Sequence, residues 1–104
     1  MFVILWEFEV KPGCEQSFQF AYGAEGAWTQ LFGRNPGYLR ILLLKDPSRP
    51  RTYLTLDFWP SGSAFHSFRS ANHEAYLALD RSTEGFTLRE TYLGAFTKTD
   101  NPCV

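Results

Sequence analysis

The chain has 104 residues and a mass of 12.0 kDa, enough for one small domain that buries only a modest share of its surface when it folds alone. Its 10 basic and 11 acidic side chains leave a formal net charge of -1 and are mixed along both halves, which argues against nucleic acid or an anionic membrane as the main partner. Aromatic residues make up 17% of the chain and hydrophobic residues 44%, a large apolar content for so little interior, so some rings are expected to line a pocket or a subunit interface.

The chain opens with Phe2, Ile4, Trp6, Phe8 and Val10 alternating with Val3, Leu5, Glu7 and Glu9, which predicts a strand with one apolar face and a second face that turns acidic. Glu7 and Glu9 interrupt the apolar run, so it resembles neither a signal peptide nor a membrane span, and a cytoplasmic protein is expected. Lys11-Pro12-Gly13 ends the strand. From Cys14 to Phe32 the spacing is helical, with Cys14, Phe18, Ala21, Tyr22, Glu25, Thr29 and Phe32 in one stripe. Gly23 and Gly26 weaken its middle; a bend there would reset the phase around Trp28, Leu31 and Phe32.

After the turn Arg34-Asn35-Pro36-Gly37, Tyr38 to Lys45 reads as a strand whose Leu-rich run suggests cover on both faces. Asp46 to Pro50 is a solvated connection to a third strand, Tyr53 to Trp59, with Leu54, Leu56 and Phe58 on one face. Its other face, Tyr53, Thr55, Asp57 and Trp59, is semi-polar and unlike an ordinary core. Ser61 can cap a helix with the stripe Ala64, Phe65, Phe68, Ala71, Ala75 and Leu79, which Asn72 could break in two. A last strand, Phe86 to Phe96, precedes a polar tail, Lys98 to Val104, so residues 1–97 form the domain and 98–104 the tail.

The order β-α-β-β-α-β predicts an α+β ferredoxin-like fold, two helices on one face of a four-stranded antiparallel sheet. The opposite face carries Leu and Val and is expected to be buried against a second copy, giving a homodimer, a dimeric α+β barrel. Cys14 and Cys103 lie at opposite ends with no CxxC spacing and are read as free thiols.

The phrases PGYLRILLLKDPSRPRTYLTLDFWPSGSAFHSF and FTLRETYLGAF resemble the antibiotic biosynthesis monooxygenase superfamily, with a likeness that extends over about Phe2 to Thr97. That superfamily includes cofactor-free quinol and anthrone oxygenases, haem-degrading oxygenases and members without an assigned activity. Where haem-degrading members carry an Asn, a Trp and an iron-ligating His, this chain carries Trp6, Phe68 and Ala78, so the resemblance does not extend to haem chemistry. It implies instead a cofactor-independent monooxygenase acting on a small aromatic quinol, anthrone or polyketide-like substrate, with no metal. The alternative is a small-molecule-binding or accessory dimer without turnover.

Such chemistry requires a base that titrates near working pH, a donor for the developing oxyanion and exclusion of water. His73, Glu25 and Tyr76 are the candidate catalytic residues: Glu25 because a carboxylate in an apolar stripe has a raised pKa, His73 and Tyr76 because a bend at Asn72 would turn them toward the sheet. On an unbroken helix, His66 and His73 instead share a solvated outer face with Arg69 and Asp80. Their separation of two turns, about 10 Å along the axis, prevents them from sharing one metal ion. Trp6, Tyr22, Trp28, Trp59 and Phe68 are the candidate pocket residues, although Trp6, Trp28 and Phe68 could also fill that space. Asp57 and Glu7 are expected on neighbouring strands, compensated by Arg40 or Arg89 as structural pairs.

Overall fold

The computed structural model describes residues 1–99. The predicted free thiol Cys103 and most of the tail lie outside the described residues; Cys14 is a free, half-buried thiol. The chain runs β1 (Phe2–Val10), α1 (Glu15–Tyr22), α2 (Ala27–Phe32), β2 (Arg40–Lys45), β3 (Thr52–Trp59), α3 (Gly62–Ala71), α4 (His73–Thr83), a 3₁₀ turn (Glu84–Phe86) and β4 (Thr87–Thr97). The four strands form one antiparallel sheet in the order β2-β3-β1-β4, as the ferredoxin-like reading predicts. Among the described residues no helix is long and apolar enough to cross a membrane.

The period-2 pattern of β1 sets the register of the whole sheet. Phe2, Ile4, Trp6 and Phe8 face the helices opposite Trp59, Asp57, Thr55 and Tyr53 of β3. Val3, Leu5 and Glu7 point the other way, opposite Phe58, Leu56 and Leu54. The semi-polar row of β3 is therefore the one that lies beneath the helices, and the more apolar row is the open one. The Leu run of β2 belongs to an edge strand: Ile41 is buried, but Leu44 remains 46% exposed, so the cover expected on both of its faces is present on one within a single chain.

Two breaks position the helices. After α1 the chain turns at Gly23 to Gly26, and a Cβ on Gly26 would collide with the carbonyl oxygens of Phe20 and Ala21. Only glycine permits that approach. The Thr29 hydroxyl donates to the Gly23 carbonyl at 2.9 Å and closes the turn, after which Trp28, Leu31 and Phe32 are the buried side chains, the reset phase. At the second break, Ser61 caps α3 by accepting from the Ala64 N–H at 3.1 Å. Asn72 then ends α3 and opens α4, its side-chain amide donating to the Phe68 carbonyl at 3.0 Å.

The core is a continuous aromatic layer. Phe18 stacks on Tyr22 with ring centroids 4.5 Å apart, and Phe8 approaches Tyr22 to 4.9 Å. Phe32 carries the layer on to Trp59 and Phe68, at 5.4 and 5.3 Å in edge-to-face contact. Such pairs add about 0.5–1.5 kcal/mol each beyond the apolar area they bury.

Gly26→Ala is expected to lower stability by about 2 kcal/mol or more, since the new methyl group meets backbone rather than a side chain that can move away. For a domain of this size that is roughly 10 °C in Tm, measured by thermal melting followed by circular dichroism.

Candidate functional site

A cavity of about 280 Å³ lies between the sheet and the helices. Trp6 and Phe8 of β1 and Thr55 and Asp57 of β3 form its floor, while Tyr22, Trp28, Arg69 and Tyr76 come from the helices above. An adjoining space of about 520 Å³ shares Trp6, Phe32, Asp57, Arg69 and Tyr76 and extends past Phe65, His66 and Tyr92. Small-molecule sites usually run from about 300 Å³ upward, so the two together suit an aromatic ligand.

Asp57 is the chemical anomaly of this cavity. It sits mid-strand on β3, flanked by Ile4 of β1 and Ile41 of β2, and is only 8% exposed. Its Oδ1 is buried without a hydrogen-bond partner, and none of the ion pairs among the described residues includes it. Desolvation with no compensating cation pushes its pKa from 3.8 up to about 7.

Donors surround this acceptor. Trp28 Nε1 and Arg69 Nε are buried without hydrogen-bond partners. The Arg69 guanidinium lies over the Tyr76 ring, 3.8 Å from its centroid, and the Trp28 ring meets Tyr76 edge-on at 5.0 Å. Burial raises the pKa of the Tyr76 hydroxyl, which keeps it a donor at neutral pH; Arg69 opposes that rise and Asp57, Asp80 and Glu90 add to it. The Tyr22 hydroxyl donates to Thr83 Oγ1 at 3.3 Å, and burial likewise raises its pKa.

The predicted residues divide among the cavity, the surface and the buried aromatic layer. Tyr76, Trp6, Tyr22 and Trp28 line the cavity. His73 is exposed beside a surface groove formed with Phe65, His66, Arg69 and Ser70. The break at Asn72 does bend the helix, but it brings Tyr76 inward and leaves His73, the first residue of α4, outside. Glu25 is exposed because the Gly23 to Gly26 turn ends the stripe before reaching it. Trp59 and Phe68 are 0% and 1% exposed and pack in the aromatic layer, without lining either cavity.

Asp57 and Glu7 do lie on neighbouring strands, β3 and β1, but within the chain neither is compensated by Arg40 or Arg89 as expected. Glu7 is on the open face and meets Arg49 at 2.7 Å, Arg89 meets Glu9 at 3.3 Å, and Arg40 lies over Phe58. Asp57, on the opposite face, is left to the cavity. Arg69 and Asp80, placed with the histidines on an unbroken helix, also line it, as does Glu90 of β4. Among the described residues, no group of three His, Cys, Asp or Glu side chains could hold a metal ion.

The family profile described as Antibiotic biosynthesis monooxygenase matches residues 1–78, which include the first three strands, all four helical segments up to mid-α4, and Asp57, Arg69 and Tyr76. The chain belongs to the antibiotic biosynthesis monooxygenase family. No curated protein sequence matches it significantly. Among solved structures it is similar to a variant of SnoaB, a cofactor-independent oxygenase from Streptomyces nogalater, with a TM-score of 0.76 and 21% identity over 96% of this chain and 94% of that one. It is also similar to a candidate antibiotic biosynthesis monooxygenase from Deinococcus radiodurans, with a TM-score of 0.72 and 11% identity over 100% and 98% of the two chains. A third, from Bordetella bronchiseptica, gives a TM-score of 0.71 and 16% identity over 94% and 96%. At these identities the likeness is one of fold.

This antibiotic biosynthesis monooxygenase domain carries Asp57 at a cost that depends on pH. Between about pH 4 and pH 7 the unfolded chain releases the Asp57 proton while the folded chain retains it, so stability falls as pH rises and levels off above about 7. The whole span amounts to about 4 kcal/mol, taking 1.36 kcal/mol per pH unit between 3.8 and about 7. An Asp57→Asn variant lacks this loss, so its stability relative to the parent should rise by about 2–3 kcal/mol between pH 5 and pH 8. Urea denaturation at the two pH values measures this, and a difference that does not change with pH would contradict an uncompensated carboxylate.

Proposed function

We propose that the chain is a cofactor-independent monooxygenase acting on a small electron-rich phenolic aromatic, of quinol, anthrone or polyketide-like type, with Asp57 as its base. One observation carries this reading: an unpartnered buried acceptor, Asp57 Oδ1, shares an aromatic cavity with the unpartnered donors Trp28 Nε1 and Arg69 Nε. A phenol or enolisable anthrone supplies the proton that Asp57 lacks, and its oxyanion accepts from the donors.

The ring stacks among Trp6, Trp28 and Phe32. Asp57 removes a proton, and Arg69, Trp28 and Tyr76 stabilise the resulting anion. The anion passes one electron to dioxygen, the substrate radical and superoxide combine, and a peroxide forms on carbon. Asp57 returns its proton to the distal peroxide oxygen; as the O–O bond breaks, the hydrogen on the peroxide-bearing carbon is lost as a proton to the departing hydroxide, leaving a carbonyl on the substrate and one water. Two hydrogens and one oxygen atom thus leave as water and the second oxygen stays on carbon, with no external reductant. A base titrating near pH 7 suits both halves of this cycle, because it must take a proton and return it.

The open face of the sheet supports a homodimer. Leu5, Leu42, Leu54 and Leu56 are only half-buried there, and Phe96 is 54% exposed. Two such faces stacked together would form a second apolar layer on the outer side of the strands that carry the cavity floor.

Oxygen uptake with a panel of quinols and anthrones is expected to be protein-dependent, with kcat/KM rising through about pH 7 to a plateau. Asp57→Asn should lower kcat by about 100-fold or more. Absence of uptake on every member would overturn the oxygenase reading in favour of a binding protein. In sedimentation velocity the parent is expected to behave as a dimer and Leu56→Arg as a monomer; a parent that sediments as a monomer would exclude the sheet-to-sheet interface.

A further inference from the structure

The charge on the cavity wall is one-sided. Asp57, Asp80 and Glu90 all line it, against the single cation Arg69. Neither Asp80 nor Glu90 has an ion-pair partner among the described residues. Glu90 accepts from the Thr87 hydroxyl at 2.9 Å, and its pKa is raised by burial and by the nearby charges of Asp80 and Glu84. Asp80 and Glu90 share this cavity with Asp57, whose Oδ1 is buried without a hydrogen-bond partner.

The carboxylates are also spread along the cavity. Glu90 pairs with Phe8, and Asp57 with Ile4, four residues apart on β1. At about 3.3 Å per residue, the two backbone positions stand on the order of 13 Å apart along the strand. Tyr76 lines the same cavity, and the charges of all three carboxylates act on its hydroxyl. Arg69 lies over the Tyr76 ring, and its buried Nε has no hydrogen-bond partner. A ligand that lies along the strands with its phenolic end at Asp57 therefore brings its far end toward Glu90, which feels the charge of Asp80.

We infer that this site selects aromatic substrates bearing a positive charge at the end remote from the reacting phenol, a protonated amine, and rejects those bearing a carboxylate there. The inference rests on the reading that the cavity binds a phenolic aromatic. A partly buried carboxylate pair favours an ammonium group and repels a carboxylate more strongly than the same pair would in bulk water. When the phenolic proton moves to Asp57, the new oxyanion lies at the Arg69 end, so the substrate becomes a zwitterion matched to the polarity of the cavity at both ends.

Three 6-hydroxynaphthalenes that differ only at the 2-position, aminomethyl, hydroxymethyl and carboxylate, separate charge from shape. Titration calorimetry at pH 7 and low salt is expected to give the amine at least tenfold tighter binding than the alcohol, with the carboxylate weakest. Glu90→Gln and Asp80→Asn, which preserve size and hydrogen-bonding capacity, should each shrink the amine-to-carboxylate ratio severalfold and together bring it close to one. Equal binding of the three, tighter binding of the carboxylate, or a ratio unchanged in the double variant would overturn the inference while leaving the phenol-binding reading intact. Failure of all three to bind would overturn both.

Discussion

The burial of one ionisable group without a counter-ion is the constraint around which the rest of the structure is arranged. Asp57 occupies the middle of a strand that is paired on both edges, so its backbone cannot move it toward water. Its neighbours along the row beneath the helices are Thr55 and Trp59, neither of which carries charge. Most of the large side chains in the interior are aromatic, and the layer from Phe8 through Phe18, Tyr22, Trp28, Phe32 and Trp59 to Phe68 supplies the packing that holds an unfavourable group in place.

The same constraint explains the division of labour between the two sheet faces. Ion pairs are formed where water can reach them: Arg49 bridges Glu7 and Asp46, and Arg89 meets Glu9, all on the open face or at the hairpin. On the helix-covered side, Asp57, Asp80, Glu90 and Arg69 form no ion pair among the described residues. An interior arranged only for stability would reverse this, leaving apolar side chains at Asp57 and Glu90.

The sheet was legible in the sequence because alternation is a local signal, and four strands, their faces and the N-cap at Ser61 can be read from a few residues each. Both helix breaks were also legible, since glycines at 23 and 26 and an Asn at 72 are explicit interruptions. The direction of the chain beyond each break was not. Glu25 belongs to an apolar stripe only if the helix continues through the glycines, and Arg69 and Asp80 belong to an outer face only if the helix is continuous at Asn72. Asp57 was visible as an odd residue on a semi-polar face. Its role depended on which strand lay beside which, because Arg40, one of its two expected partners, pairs with Phe58, one register position away and therefore on the opposite face. Register is a tertiary property, and one residue of phase decides whether a carboxylate meets a cation or a cavity.

The junction at Asn72 has a wider consequence for how such a site can diversify. A single residue separates α3 from α4, and the two helices contribute Arg69 and Tyr76 to the same cavity from either side of it. Each residue of an α-helix advances the side-chain direction by about 100°. Insertion or deletion of one residue at the junction would therefore rotate all of α4 relative to α3, exchanging Tyr76 and Asp80 for neighbours such as Ala75 and Leu79 while the strands and the aromatic layer beneath stayed in place. Changes in length at this one position would retool the cavity roof in a single step, a route to new ligands that stepwise substitution of the lining residues would reach only slowly.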